Sequence, residues 1–112
     1  MKVPYSVPYD ATTLIYHIHP GQNGPSVNFF CYEIDMVIPT LTNDVDTILT
    51  IVGADGTTRY TSAAQARTTK TAYFPTGGLW IDTSDTIILT VDGVVGGAHI
   101  IYVTLIGGRR LR

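Results

Sequence analysis

Histidines and carboxylates are the residues here whose types and spacing could do chemistry, and each group is small. His17 and His19 stand two apart, so on a strand both rings leave the same face, a spacing at which two imidazoles can share a metal ion. A third ligand is expected a few residues on, where the chain instead has Gln22 and Asn23, and His99 is the only other histidine. His17 and His19 are therefore expected to be a surface or interface pair, and none of His17, His19 and His99 a metal ligand, with no cofactor. Glu33 and Asp35 also share a strand face. Two carboxylates side by side on one strand do not face each other across a scissile bond, which acid–base cleavage of a glycoside requires.

Leu79-Trp80-Ile81-Asp82-Thr83-Ser84 resembles the apolar-apolar-Asp-Thr-Ser/Gly loop of aspartic proteases, and Leu105-Ile106-Gly107 resembles their second signature. The separation between the two is too short for that family, and Asp82, Ser84 and Asp85 read more simply as turn residues ahead of a strand. Trp80, Tyr73 and the threonine-rich faces offer the materials of a shallow sugar-binding surface, yet a tryptophan between Leu79 and Ile81 is more often core or interface. No catalytic site is expected. Cys31 is the single cysteine, so no internal disulfide can form.

The elements that would carry these residues are strands. From Thr86 to Asp92 the chain alternates, with Ile87, Leu89 and Val91 on one face. After Gly93, Gly96 and Gly97, Ala98 to Ile106 is apolar on both faces, Ile101, Val103 and Leu105 against Ile100, Tyr102 and Ile106. Such a strand is central or meets a second protein surface. The two are expected to form a closing hairpin. Ala11 to His19 reads as a strand with Leu14, Tyr16 and Ile18 on one side. Val27 to Ile38 reads as a long strand with Phe30, Tyr32, Ile34, Met36 and Ile38 on one face and Cys31, Glu33 and Asp35 on the other. Asp46 to Ala63 is a hairpin around Asp55-Gly56, with Leu49 and Ile51 inward. Residues 64–70 make either one helical turn or a crossover between sheets, and Thr71 to Phe74 starts another short strand. The expected fold is all-β, an antiparallel β-sandwich of jelly-roll type with about eight short strands.

Three regions are expected. Residues 1–10 form an extended N-terminal arm, since Val3-Pro4-Tyr5 and Val7-Pro8-Tyr9 hold an extended conformation, lying along the domain's own sheet or reaching a neighbour. Residues 11–108 form the β-sandwich. Residues 109–112 form a basic tail, which Gly107-Gly108 would free from the last strand.

Composition narrows the function classes. Charged residues are 14% of the chain, against about 25% in ordinary soluble domains, while threonine occurs 17 times. A surface poor in charge can be covered by neighbours at little desolvation cost. Nine acidic and three basic residues lie between Val3 and Gly108, a formal charge of −6, and the remaining bases are Lys2, Arg109, Arg110 and Arg112. Basic ends on an acidic body suit docking on acidic protein surface. With a net charge of −2 and no basic stripe, nucleic acid is not an expected partner. No apolar run is long enough for a membrane helix, and no apolar segment of signal-peptide type follows Met1-Lys2.

Taken together, the Pro-Tyr arm, the scarcity of lysine and glutamate, the threonine-rich strands, TIILTVDGVVGGAHIIYVTLIGG and the RRLR tail resemble the small jelly-roll decoration proteins, also called cement or stapling proteins, of tailed bacteriophage capsids. That resemblance implies an accessory virion protein made in the host cytoplasm and placed on the capsid surface. Its implied partners are the major capsid protein and further copies of itself in a symmetric homo-oligomer. The contact residues would be Val3, Pro4, Tyr5, Val7, Pro8 and Tyr9 of the arm, Ile100 and Tyr102 of the last strand, and Arg109, Arg110 and Arg112 of the tail. The alternative is a carbohydrate-binding jelly-roll module of a viral fibre or secreted protein.

Overall fold

The computed structural model describes residues 2–9, 14–37, 46–64, 70–91 and 99–109. Among them are nine strands: β1 (Lys2–Tyr9), β2 (Ile15–Ile18), β3 (Asn28–Val37), β4 (Thr47–Val52), β5 (Thr58–Thr61), β6 (Lys70–Tyr73), β7 (Leu79–Asp82), β8 (Thr86–Val91) and β9 (His99–Arg109). They build two sheets. The first has the order β1-β9-β3-β6, with β7 also paired to β3, and the second has the order β2-β8-β4-β5. Every pairing is antiparallel. The chain pairs as nested arms: β4 with β5 innermost, then β3 with β6 and β7, β2 with β8, and β1 with β9. Rolling that long hairpin sets β9 beside β3 and β8 beside β4, which makes a jelly roll of two packed sheets. β6 and β7 follow each other along β3, so nine segments fill eight strand positions.

Alternation decides what goes between the sheets. Ile101, Val103 and Leu105 from β9, with Val3 and Tyr5 from β1 and Ile34 and Met36 from β3, meet Tyr16, Ile18, Leu49, Ile51, Ile87 and Leu89 of the second sheet. Each such apolar side chain contributes about 1.5–3 kcal/mol by leaving water. Two buried tyrosines keep their hydroxyls paired. Tyr5 donates to the Pro25 carbonyl at 2.6 Å, and the Tyr73 hydroxyl bonds Thr47 Oγ1. Burial pushes the Tyr5 hydroxyl up to about 12, raises that of Tyr73, and pushes the Cys31 thiol up to about 11.

Several expectations are corrected. The stretches around Thr86–Val91 and His99–Arg109 are not a hairpin: β8 lies in the second sheet between β2 and β4, and β9 lies in the first between β1 and β3. Two strands with inward residues for the same core satisfy that core from opposite sides. In β3 the register shifts between Cys31 and Glu33, so Cys31 is buried with Ile34 and Met36, while Phe30 and Tyr32 turn outward. Ile38 lies outside the described residues. Leu14 is exposed, although Tyr16 and Ile18 are buried as alternation requires.

Residues 2–9 lie along the domain's own sheet, the first of the two arrangements expected for the N-terminal segment, paired with β9 throughout. Val3 and Tyr5 are core residues and offer no surface to a partner in a single copy. Gly107 and Gly108 do not release the chain either, because β9 runs through both and pairs with β3 as far as Arg109 opposite Phe29. A Cβ at Gly107 would lie 1.9 Å from the Phe30 carbonyl oxygen, so close approach of two backbones is what requires glycine there. The Asp55-Gly56 turn is as expected, with Gly56 at φ 85° and its N–H bonded to the Gly53 carbonyl. Because β5 and β6 belong to different sheets, the connection between them crosses from one to the other, and its residues 65–69 lie outside the described set.

Candidate functional site

The two outward faces of the sandwich are the candidate contact surfaces, and the strand registers lay out both. On the first sheet the outward rows are Pro8–Ile100, Ser6–Tyr102–Val37, Pro4–Thr104–Asp35 and Lys2–Ile106–Glu33. Ile100 is 43% exposed and Tyr102 45%, so the central strand of the sheet turns large apolar groups toward solvent. Beyond β3 the same face continues through Phe30 and its cross-strand partner Trp80, whose rings meet edge to face at 6.0 Å. Phe30 lies over Gly78, where any Cβ would come within 2.1 Å of the ring. Tyr32 and Phe74 flank this point with 53% and 64% of their surface exposed. Ile100 and Tyr102 thus stand at one end of the face and Phe30, Tyr32, Phe74 and Trp80 toward the other, with Asp35 and Glu33 in the rows between them.

The outward rows of the second sheet are Thr58–Val52–Thr86, Thr61–Thr50–Ile88–His17 and Ile48–Thr90–Ile15. No aspartate, glutamate, lysine or arginine occurs in these rows, on a chain whose body is acidic. β-branched residues suit the pleated surface, and threonine keeps it wettable without charge. His17 and His19 stack with ring centroids 6.2 Å apart beside this face. Among the described residues, no group of three or more histidines, cysteines, aspartates or glutamates could hold a metal ion.

Polar side chains close the rims. Arg59 of β5 donates to Asp85 Oδ2 at 2.6 Å and to the Trp80 carbonyl of β7, tying the edge of one sheet to that of the other. Asp85 also accepts the Asp82 N–H at 3.0 Å. Asp82 accepts both the N–H and the hydroxyl of Ser84, and these hydrogen bonds hold its carboxyl below the usual carboxylate range. Asp82, Ser84 and Asp85 thus organise the turn into β8. On the opposite rim, the Ser6 N–H is taken by the Asn23 carbonyl, and the backbone of Gly24 packs on that of Pro4.

Of the contact residues expected from the sequence, Pro4, Pro8, Ile100 and Tyr102 come together on the outward face of the first sheet, with Val7 half-buried at the core margin. Tyr9 and Arg109 are placed by backbone pairing opposite His99 and Phe29. Arg110 and Arg112 lie outside the described residues. Phe30, Tyr32, Phe74 and Trp80 were not among the expected contacts. For Phe30 and Tyr32 a signal was present in Phe29-Phe30-Cys31-Tyr32, apolar on both faces as the last strand is.

No protein-family model matches the chain, and no curated protein matches it. Among solved structures it is similar to a chain in the structure of infectious bursal disease virus, Gx strain, with 17% identity and a TM-score of 0.39 over 96% of this chain and 32% of that one. It is also similar to a chain of the T13 IBDV viral particle, with 19% identity and a TM-score of 0.30 over 94% of this chain and 31% of that one. The chain spans about a third of the length of these matches. At such scores they are similarities and nothing more.

Proposed function

We propose that the chain is a structural virion protein that binds the outside of an assembled capsid and bridges neighbouring major capsid subunits, with no catalytic role. The observation that carries this reading is the outward face of the second sheet, whose rows hold no aspartate, glutamate, lysine or arginine. Covering such a face forfeits little charge solvation, so even a modest contact area yields net attraction. A body of formal charge −6 leaves that face as ground where another acidic protein can approach closely. A protein that binds the assembled shell and not its separated subunits stabilises the shell by mass action.

The test mixes the purified chain with shells assembled from the major capsid protein of the same virus. Co-sedimentation with shells, a raised shell disassembly temperature and loss of both in Thr50→Lys or Ile88→Lys are the expected results. Failure to pellet with shells, or equal binding to unassembled subunits, overturns the proposal. Binding of the isolated chain to a glycan array would favour the carbohydrate-binding alternative.

A further inference from the structure

We propose that the part of the first sheet's outward face formed by β1, β9 and β3 is covered by a second copy of this chain, stacked face to face about a two-fold axis that runs along β9. The inference deepens the assembly reading by naming one partner, and it concerns a different face from the one assigned to the shell.

Charge placement selects the symmetry. In the row Lys2–Ile106–Glu33 the base and the acid sit one strand to either side of β9. A two-fold axis parallel to β9, lying between two facing sheets, carries the β1 side of one copy over the β3 side of the other. Lys2 of each copy then faces Glu33 of its partner, twice per dimer. In the next row, Pro4–Thr104–Asp35, the same operation sets Asp35 over a proline. No like charges meet in these rows. Residues on the axis meet themselves, and those are Ile100, Tyr102, Thr104 and Ile106, all uncharged. An isologous contact demands this self-complementarity.

The size sets the strength. At about 3.3 Å per residue β9 is about 36 Å long, and the three strand positions that overlap under this operation, β1, β9 and β3, lie about 4.8 Å apart and span about 14 Å, a footprint on the order of 500 Å². A standard specific interface takes about 800 Å² from each partner, so this contact belongs to the smaller and weaker class. Sheets packed face to face align within about 30°, which a two-fold along the central strand permits.

Sedimentation velocity of the full chain gives the test, with circular dichroism and a melting curve on each variant to establish that it is folded. The wild type is expected to sediment at twice the chain mass. Tyr102→Asp, which sets two carboxylates against each other on the axis, should sediment as a folded monomer. Lys2→Glu and Glu33→Lys should each weaken the dimer at least about tenfold, since each creates two like-charge contacts. An equimolar mixture of the two variants should restore it. In the mixed dimer the new acid at position 2 of one copy faces the new base at position 33 of the other, and at the second contact the native Glu33 faces the native Lys2. A wild type that stays monomeric up to about 1 mM, the range reached by weak, small interfaces, overturns the inference, as does a dimer indifferent to Tyr102→Asp or a mixture no more associated than its components. A dimer that fails to pellet with shells removes the virion reading alone. A monomer that pellets removes this inference alone.

Discussion

Arg59 shows how much one side chain can hold in a sandwich with few charges. Its partner Asp85 has a side chain only 3% exposed, and the pair spans the rim between β5 and the turn leading into β8. Replacing Arg59 by Met leaves a buried carboxylate with only the Asp82 N–H, so urea unfolding should show a loss of about 2–3 kcal/mol. Adding Asp85→Asn should recover most of that, because an amide oxygen still accepts the N–H and no charge remains. Buried acids of another kind set the alkaline limit. The Tyr5 hydroxyl, raised from 10.0 to about 12, and the Cys31 thiol, raised from 9.0 to about 11, are both favoured as the neutral form in the folded chain. Above pH 9 the unfolded chain loses these protons first and binds fewer than the native one, so stability falls as pH rises. The melting temperature should be insensitive to these groups below pH 9 and should decline between pH 9 and 12. Tyr5→Phe, which gives up the bond to the Pro25 carbonyl at a cost of about 1 kcal/mol at neutral pH, should decline less steeply.

Among the elements, the edge strand β1 manages its exposed backbone with sequence. The N–H of Ser6 points away from β9 toward Asn23, so residues of the same parity direct their amides outward, and two of these are Pro4 and Pro8, which have none. With two of its outward donors missing and the Ser6 N–H already taken by Asn23, the edge is a poor template for another strand. Pro4→Ala with Pro8→Ala should keep the fold and raise concentration-dependent edge association, seen as thioflavin-positive aggregate on standing. The same prolines are why the segment reads as an arm in sequence: they announce an extended backbone but not what it pairs with. Where one face meets the core, alternation was legible, as in Thr86–Val91, in Ile101-Val103-Leu105 and around Asp55-Gly56. It failed at β3, because the bulge between Cys31 and Glu33 exchanges the two faces within a single strand and leaves no trace in residue type. It also could not tell a hairpin from a crossover for β8 and β9, since both alternatives bury the same side chains. Ile100 and Tyr102 were legible as the outward apolar residues of β9 because alternation sets them opposite Ile101 and Val103. The placement of Phe74 and Trp80 beside Phe30 was not, because it follows from β6 and β7 sharing one edge of β3.

At the scale of the molecule, the two faces of β9 should answer differently to charge. Val103→Asp or Ile101→Asp puts a carboxylate among fully buried residues and should abolish the cooperative melt, whereas Ile100→Asp or Tyr102→Asp should leave it within about 1 kcal/mol of wild type by circular dichroism. The nested pairing also sets an order of events. β9 lies between β1 and β3, so the two strands it joins are made long before it. A chain leaving the ribosome N-terminus first therefore carries Val3, Tyr5, Ile34 and Met36 unburied through most of translation, and the first sheet closes only when the segment from His99 onward has emerged. Ribosome-bound chains stopped before His99 should remain open to protease and to nascent-chain chaperones, and a premature stop there should yield no smaller version of the fold, only a polypeptide whose first and third strands lack the one they share.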